Sequence, residues 1–285
     1  MAIEITPTGQ ACGAKVRGVD LRDDLSPEVV AELRQAWLDH QVLVFPDQPM
    51  DHVQLTTHSL RFGPFGVDPY LGPLDDHEHV VALHRAADET ASIFADVWHA
   101  DWSFQEFPPD GTCLHAKVIP PVGGDTDFIN QYAALEAMPT ELRSRIDGRI
   151  GIHSARFGYS PDGAYGEADK GSVRAMKIIA DDSAYDTQTH PMVAPHRETG
   201  RDTLYSCAGY IIGIEGMADD EAQEVLAELH AWQTQERFQY HHRWEPDMLV
   251  MWDNRCVLHK ANGGYDGHER LLHRTTIGFN HAIAA

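Results

Sequence analysis

The sequence predicts a mainly β protein with flanking helices, folded as a sandwich or a barrel. Short apolar segments rich in β-branched and aromatic residues dominate the chain from residue 97 onward. Helical periodicity is limited to a few separate segments, and we find no internal repeat or heptad pattern. With 285 residues, 42% of them apolar, the chain can bury a sizeable core.

Two helices and a buried strand are predicted in the first part of the chain, after short glycine-broken strands. Residues 26–41 predict a helix, because Ser26 is a suitable N-cap and Pro27 suits the first helical position. The apolar segment "VLVFP" predicts a buried strand at 42–46. A second short helix is predicted over 53–64, where glycine and proline end it.

Strand-like segments make up most of the rest of the chain, and two helical segments interrupt them. The helical segments lie near 132–147, where Pro139 divides the pattern, and at 219–235. Residues 158–189 form the least regular part, and we expect a lid there beside a functional site. The predicted strands lie at 97–104, 111–120, 124–130, 149–157, 202–207, 247–261 and 270–280.

Charge and composition narrow the classes of partner. The chain carries 44 acidic against 22 basic residues. Nucleic acids and anionic membranes select basic surfaces, so we expect a small molecule as partner, with no nucleic acid and no membrane. The sequence lacks a long apolar run and a signal-peptide pattern, which predicts a cytoplasmic location. Its scattered cysteines predict buried, reduced thiols.

Among the 18 histidines, His99 stands out because Asp101 follows it in "VWHADWSF". In a strand, residues two apart point to the same face, so the imidazole and the carboxylate would converge between bulky apolar neighbours. His196 and Glu198 have the same spacing, but they lie in the turn-like "HRETGR". A structural pair with a solvated carboxylate is the better interpretation there.

His259, in the apolar segment "LVMWDNRCVLHKA", is the best candidate for a third metal ligand. Two imidazoles and one carboxylate on one face of a metal leave positions open for reaction, as in non-heme iron(II) oxygenases. A ligand so distant in sequence requires a closed β architecture. The other histidines considered lie in or near an acidic loop, or side by side on a strand. They are His77, His79, His84, His241 and His242.

Two arginines share one face of the predicted C-terminal strand. Arg270 and Arg274 are an even number of residues apart in "RLLHRTTI", so a strand points both the same way. Two surface arginines are the alternative interpretation. Beside a metal, two guanidinium groups suit bidentate capture of two anions, a cosubstrate and a substrate that each carry an acid group.

Five separated motifs carry a family resemblance. They are "WHADWSF", "GGDT", "HPMVAPHRETGR", "WDNRCVLH" and "RLLHRTTI". In this order they resemble the TauD/TfdA family of iron(II) and 2-oxoglutarate-dependent dioxygenases, with a lean toward its 2,4-dichlorophenoxyacetate branch. The resemblance implies a single domain over 1–285 with a double-stranded β-helix (jelly-roll) core, assembled as a homo-oligomer.

The resemblance also implies roles in iron and cosubstrate binding. His99, Asp101 and His259 match the ligands of Fe(II), and the implied cosubstrates are 2-oxoglutarate and O₂. Arg270 matches the arginine that holds the distal carboxylate of 2-oxoglutarate. Thr126 of "GGDT" matches the threonine that assists that arginine.

Substrate binding is implied for Arg274, which matches the arginine that grips the sulfonate in the taurine enzyme of the family. Trp102 stands where that enzyme has a small aliphatic residue, and we expect it to form pocket walls with Tyr70 and Tyr205. The expected reaction is hydroxylation of a small carboxylate or sulfonate, followed by C–O or C–S cleavage where the product is unstable. The alternatives are hydroxylation or isonitrile formation on an amino-acid derivative, and a non-catalytic β-barrel that binds a metal or small acid.

Overall fold

A computed structural model describes residues 3–166 and 169–279 of the chain. Within these ranges, strands outnumber helices. The helices are α1 (Pro27–His40), α2 (His52–Leu60), α3 (Gln131–Glu136), α4 (Thr140–Ile146), α5 (Arg156–Tyr159) and α6 (Asp219–Gln233). The strands are β1 (Glu4–Pro7), β2 (Ala14–Arg17), β3 (Val42–Phe45), β4 (Val81–Arg85), β5 (Gly111–Val118), β6 (Thr126–Asn130), β7 (Ile150–Ser154), β8 (Thr187–Pro191), β9 (Val193–Pro195), β10 (Asp202–Leu204), β11 (Ile211–Ile214), β12 (Gln239–His242), β13 (Leu249–Asp253), β14 (Val257–Ala261) and β15 (Arg270–Ile277).

Two facing sheets form the centre of the molecule. The major sheet has the strand order β1-β2-β3-β13-β5-β15-β4, and its pairs are antiparallel except for β2 with β3. The minor sheet has the order β12-β6-β14. Apolar side chains from both sheets, among them Leu114, Phe128 and Trp252, pack into one core between them. This arrangement is a double-stranded β-helix, or jelly roll, as predicted.

Alternation along the central strands divides their side chains between two layers. On β13, Val250 and Trp252 belong to the core between the sheets, whereas Leu249 and Met251 pack with residues of α1 and α2. The strand is therefore buried on both faces and appears as a continuous apolar run in the sequence. The same alternation on β15 directs its two arginines toward the space between the sheets.

Most predicted elements are confirmed, including their end signals. The Ser26 hydroxyl accepts a hydrogen bond from the backbone N–H of Val29, and Pro27 begins α1. Pro139 separates α3 from α4, as predicted. A second apolar cluster packs α4 and α6 with β11, an edge of the three-stranded sheet β11-β7-β8.

The predicted strand at 97–104 is wrong beyond one residue. Only His99 makes a strand-like bridge, and residues 101–104 form turns. Trp102 has a φ of 52°, a left-handed conformation that is incompatible with a strand. The side chains of Trp98, Ala100 and Trp102 are buried because the turn packs into the protein interior. The polar–apolar alternation in this segment therefore reflects a buried turn.

The cysteines and helices also agree with the composition. Cys12, Cys113, Cys207 and Cys256 are all buried free thiols. Burial raises the pKa of Cys12 to about 12, so this thiol stays protonated at neutral pH. Among the described residues, no helix combines the length and the apolar character needed to cross a bilayer.

Candidate active site

The two histidines of the predicted triad are neighbours through their backbones. The N–H of His99 donates to the carbonyl of His259 at 3.0 Å, and the reverse bond measures 2.8 Å. Their ring centroids lie 4.2 Å apart. His259 lies on β14 of the minor sheet, and the segment that contains His99 bridges to it. Backbone pairing thus joins two residues that are far apart in sequence.

Asp101 completes a buried group of three metal-binding side chains. Its Oδ1 lies 3.8 Å from Nε2 of His99 and 3.8 Å from Nε2 of His259. All three ligand atoms lie within 4.8 Å of one another. These separations exceed hydrogen-bonding distance, so the atoms face a common centre without satisfying each other. A divalent iron ion fits this donor set of two imidazoles and one carboxylate.

The protonation of the imidazoles suits metal binding. Nδ1 of His99 donates to the carbonyl of Val97 at 2.8 Å, so Nε2 carries the lone pair. Burial lowers the pKa of His99 and lowers that of His259 well below its ordinary value. Both rings are therefore neutral at pH 7, as metal coordination requires.

Two side chains hold the Asp101 carboxylate in place. Thr112 on β5 donates to Oδ2 of Asp101 at 2.6 Å, and Nδ2 of Asn254 donates to the Thr112 hydroxyl at 3.0 Å. Burial alone would raise the pKa of Asp101. The charge of Arg274, the neighbouring imidazoles and the Thr112 hydrogen bond overcome that effect and lower the pKa to about 2. The carboxylate is therefore ionised at neutral pH.

Both histidines line a cavity of about 680 Å³, counting its open mouth, and Arg270, Thr126 and Arg274 line it too. Arg270 is 7% exposed and donates from Nε to the carbonyl of Gly124 at 3.0 Å. Burial lowers its pKa to about 10, and within the described ranges no carboxylate forms an ion pair with it. A buried guanidinium without a counterion is a strong site for an anion.

The "GGDT" segment lies directly against Arg270. Gly124 has a φ of +72°, and a side chain there would approach Cδ of Arg270 to 3.1 Å. Glycine is therefore needed for both the backbone conformation and the close contact. Thr126 follows at the start of β6, where its hydroxyl accepts a hydrogen bond from the indole N–H of Trp244 at 2.9 Å.

Arg274 is paired with two carboxylates of the protein. Its Nη1 lies 3.3 Å from Oδ1 of Asp101, and its Nη2 donates to Oδ1 of Asp68. The same Asp68 oxygen accepts a hydrogen bond from Nε1 of Trp102 at 2.6 Å. The sequence predicts that Arg274 grips a substrate acid. In the structure, an acid of the protein itself occupies that place.

The three predicted wall aromatics lie in different places. The guanidinium carbon of Arg274 lies 5.0 Å from the Trp102 ring centroid, and Tyr70 lies 6.5 Å from Trp102, ring to ring. Trp102 and Tyr70 are 1% and 4% exposed and do not line the cavity that contains both histidines, although the indole N–H of Trp102 is directed at Asp68 beside Arg274. Tyr205 packs beside His153, and the pockets that it lines contain none of the triad residues. The structure gives Tyr205 no contact with the site.

A second cavity, of about 790 Å³ counting its open mouth, is also lined by His99. Phe157, Tyr159, Tyr165 and Tyr210 make its walls largely aromatic. Parts of the predicted lid at 158–189 line both cavities, although residues 167 and 168 lie outside the described residues. The segment therefore lies beside the site, while its movement stays a prediction.

Comparison with known proteins accounts for this arrangement of ligands and sheets. A family model described as "Taurine catabolism dioxygenase TauD, TfdA family" matches residues 4–276. The chain belongs to the TauD/TfdA family. It is an enzyme, a dioxygenase that uses Fe(II), 2-oxoglutarate and O₂, and the predicted family and cofactors are confirmed. The alternative of a non-catalytic binding protein is rejected.

Named relatives of this dioxygenase extend over nearly the whole chain. The α-ketoglutarate-dependent 2,4-dichlorophenoxyacetate dioxygenase of Cupriavidus pinatubonensis is 33% identical, covering 97% of this chain and 98% of the relative. The (S)-phenoxypropionate/α-ketoglutarate dioxygenase of Sphingobium herbicidovorans is 31% identical, covering 97% and 95%. The crystal structure of a taurine dioxygenase from Burkholderia xenovorans superposes with a TM-score of 0.80 at 29% identity, covering 98% of this chain and 92% of that one.

His196 and Glu198 form a structural pair in the dioxygenase, as predicted, but the carboxylate is not solvated. Glu198 accepts hydrogen bonds from Arg34 at 2.8 Å and Arg255 at 2.5 Å, and its side chain is 10% exposed. Nε2 of His196 bonds to Asp253 at 3.0 Å, while its Nδ1 accepts from backbone N–H groups. Because both ring nitrogens are used, this group is not suited to bind a metal.

Three of the competing histidines contact residues outside the triad, although His84 lines the same cavity as the triad histidines. His84 bonds to Glu269 at 2.9 Å, and His241 bonds to Asp127 at 2.7 Å. His77 packs on the ring of His52. None of these contacts involves the triad, which supports His259 as the third ligand.

Sequence reasoning missed Thr112, Asn254 and Asp68. Thr112 and Asn254 reach Asp101 only through the strand register of the major sheet. Asp68 lies in an irregular loop before β4, where no periodicity indicates the direction of a side chain. Asp253 ends β13 and Asn254 follows it directly, and this polar pair at the end of a buried strand was the available signal for Asn254.

Proposed function

We propose that this dioxygenase hydroxylates a small organic acid, a carboxylate or a sulfonate, at an iron centre held by His99, Asp101 and His259. The observation that carries the proposal is the buried guanidinium of Arg270, which has no ion-pair partner in the described part of the chain and lines the same cavity as both histidines. A metal-binding triad and an anion site in one cavity are what a chelating dicarboxylate cosubstrate requires.

Arg270 and Thr126 would hold the distal carboxylate of 2-oxoglutarate. The Arg270 guanidinium is oriented by its bond to the Gly124 carbonyl, and the Thr126 hydroxyl by its bond to Trp244. The keto acid end would then point toward the triad. Bound Fe(II) with O₂ supplies the oxidising chemistry, and 2-oxoglutarate is converted to succinate and CO₂.

The aromatic cavity beside His99 would receive the organic part of the primary substrate. Tyr159, Tyr165 and Tyr210 line this cavity and would offer flat apolar faces to the substrate. The names of the relatives given above indicate that they act on phenoxy acids and on taurine. Each of these compounds has an organic part and one acid group. An acid group near Arg274 would place a neighbouring C–H bond close to the triad.

Hydroxylation leads to cleavage when the hydroxylated carbon bears an ether oxygen or a sulfonate. The new C–OH collapses to a carbonyl, the C–O or C–S bond breaks, and the leaving group departs as a phenol or as sulfite. The protein contributes orientation and a dry site, because no side chain near the triad has to form a covalent bond to the substrate.

A succinate-release screen tests this proposal. The purified protein with Fe(II), ascorbate and 2-oxoglutarate is incubated with aryloxyalkanoates, alkylsulfonates and acylated amino acids, and Asp101→Ala is the control. We expect substrate-dependent succinate from at least one simple acid with the wild type and none with the variant. Succinate release only with acylated amino acids would favour the amino-acid alternative, and equal release by Asp101→Ala would contradict the triad.

A further inference from the structure

On one edge of the Arg274 guanidinium, only one of the two N–H donors has a hydrogen-bond partner among the described residues. In a guanidinium, Nε and Nη2 lie on one edge and can together bind both oxygens of an acid. Nη2 of Arg274 donates to Asp68, but its Nε is buried and has no hydrogen-bond partner among the described residues. Leaving a buried donor unpaired is unfavourable. Arg274 therefore keeps one donor available to an acid that spans the edge.

Asp68 marks the position of an acid oxygen in this site. Its Oδ1 accepts hydrogen bonds from both Nη2 of Arg274 and Nε1 of Trp102. A guanidinium and an indole N–H thus converge on one carboxylate oxygen, next to the Asp101 side chain of the triad. Two charged or strongly polar donors directed at one point form an acid-binding site.

The backbone on both sides of Asp68 is held by hydrogen bonds, so release of Arg274 requires only a movement of the Asp68 side chain. Gly66 N–H donates to the Thr276 carbonyl at 3.0 Å, and the Tyr70 carbonyl accepts from Ile179 N–H at 2.9 Å. Only residues 67–69 lie between these two attachments. Val67 is 67% exposed, and its carbonyl is bound by a surface glutamine side chain. The Asp68 side chain is 12% exposed, so its rotation toward solvent would release Arg274 while these backbone attachments and β15 stay in place.

The charges of the site explain why such a movement matters. Of the charged side chains at the triad and at Arg270, Asp68 and Asp101 balance Arg270 and Arg274, and bound Fe(II) would balance bound 2-oxoglutarate. The cavity is also lined by Arg85, Glu89 and Arg174, which pair with one another. When Asp68 points to solvent, the charge beside the triad rises by one, which favours an anion.

We propose that Asp68 is an internal competitor for the substrate's acid group. Its carboxylate occupies the site formed by Arg274 and Trp102, and the incoming acid displaces it by binding Nε and Nη2 of Arg274 and the indole N–H. This inference rests on the proposed function, because it concerns the same acid substrate. It makes Asp68 and Trp102 specificity residues. Acids with two suitable oxygens, carboxylates and sulfonates, gain most from the exchange.

Binding of phenoxyacetate to Asp68 variants tests the competition directly. Calorimetric titrations use the Fe(II)-loaded protein with 2-oxoglutarate in the absence of oxygen, so that no turnover occurs. Asp68→Ala removes the competitor, and Asp68→Asn keeps its shape without the charge. Phenoxyacetamide is the neutral probe. Asp75→Asn, in the same loop before β4 and exposed, is the charge-matched control.

We expect Asp68→Ala and Asp68→Asn to bind phenoxyacetate about tenfold more tightly than the wild type, the effect of one charge-assisted hydrogen bond. Phenoxyacetamide binding and the Asp75→Asn control should match the wild type. The double variant Asp68→Ala/Trp102→Phe should bind phenoxyacetate more weakly than Asp68→Ala alone. Phenylalanine keeps an aromatic ring at this position but lacks the indole N–H that would donate to the acid. Unchanged or weaker phenoxyacetate binding by both folded Asp68 variants overturns the proposal.

Succinate formation separates this inference from the proposed function. If the wild-type protein turns over acids but the Asp68 variants bind phenoxyacetate no better, the proposal that Asp68 competes with the substrate is wrong, whereas the proposed function is supported. If the variants bind phenoxyacetate more tightly while no acid gives succinate, the proposal that Asp68 competes with an acid is supported and the proposed substrate class is wrong. Thermal unfolding of each variant shows whether it is folded before it is titrated.

Discussion

The hydroxyl of Thr112 donates a 2.6 Å hydrogen bond to Asp101 and so links the start of β5 to the turn that carries the proposed iron ligand. We predict that Thr112→Val lowers Fe(II) affinity about tenfold, because loss of an outer hydrogen bond frees the ligating carboxylate to rotate. Metal titration of the purified variant measures the change. Thr112→Ser keeps the hydroxyl and should bind iron like the wild type; equal loss in both variants would point to a packing effect.

We predict that His99→Ala and Asp101→Ala abolish substrate-dependent succinate formation while the protein stays folded. Each removes one of three converging ligands, yet neither residue belongs to the apolar cores. Activity is measured by succinate release, and folding by circular dichroism. The exposed His79→Ala serves as a control. Full activity in either triad variant would refute the ligand assignment.

Arg270→Ala should raise the KM for 2-oxoglutarate at least about tenfold, because the distal carboxylate would lose its charged partner. The KM for the primary substrate should change much less. Steady-state kinetics with each substrate varied in turn measures both effects. Arg270→Lys should restore affinity only in part, since an ammonium group cannot form the two-donor contact. A larger change in primary-substrate KM than in 2-oxoglutarate KM would contradict the assignment.

Acid should destabilise the protein through His58, whose ring is buried with no hydrogen-bond partner among the described residues. Burial lowers the pKa of His58 to about 3, below the value of about 6.5 in the unfolded chain. Its contribution to stability is complete above pH 6.5 and is lost as the pH falls from 6.5 toward 3, because the unfolded state takes up the proton first.

The free energy of unfolding should fall between pH 7 and pH 5 in both proteins. We expect it to fall by about 2 kcal/mol less in His58→Leu than in the wild type. The ring packs against Phe45 and Phe62, so an apolar side chain suits the site. Urea unfolding at several pH values measures the slope. His40→Leu, at the half-buried last residue of α1, is the matched control, and an unchanged slope in His58→Leu would contradict the prediction.

The central strands and two of the functional groupings could be predicted because they depend on local periodicity. Alternation on β15 places Arg270 and Arg274 together, and the apolar character of β14 identifies His259 as an interior histidine. The family motifs then supplied roles. For these residues, the strand pattern and the tertiary structure require the same side-chain direction.

The remainder of the site depends on contacts that local pattern does not encode. The turn at Trp102 forms because its side chain packs among other aromatic rings, and that packing overrides the strand propensity of the segment. The pairing of Asp68 with Arg274 joins a loop to a strand from the opposite end of the chain. Charge composition could not distinguish this carboxylate from the other acidic residues.

The backbone pairing of His99 with His259 has a consequence for the order in which the molecule is assembled. One ligand is synthesised in the first half of the chain and its partner almost at the end, so the iron site does not exist until β14 has docked on the minor sheet. Closure of so long a loop is slow. Iron would then bind only molecules whose last strands are in place, and its uptake would report the completion of folding.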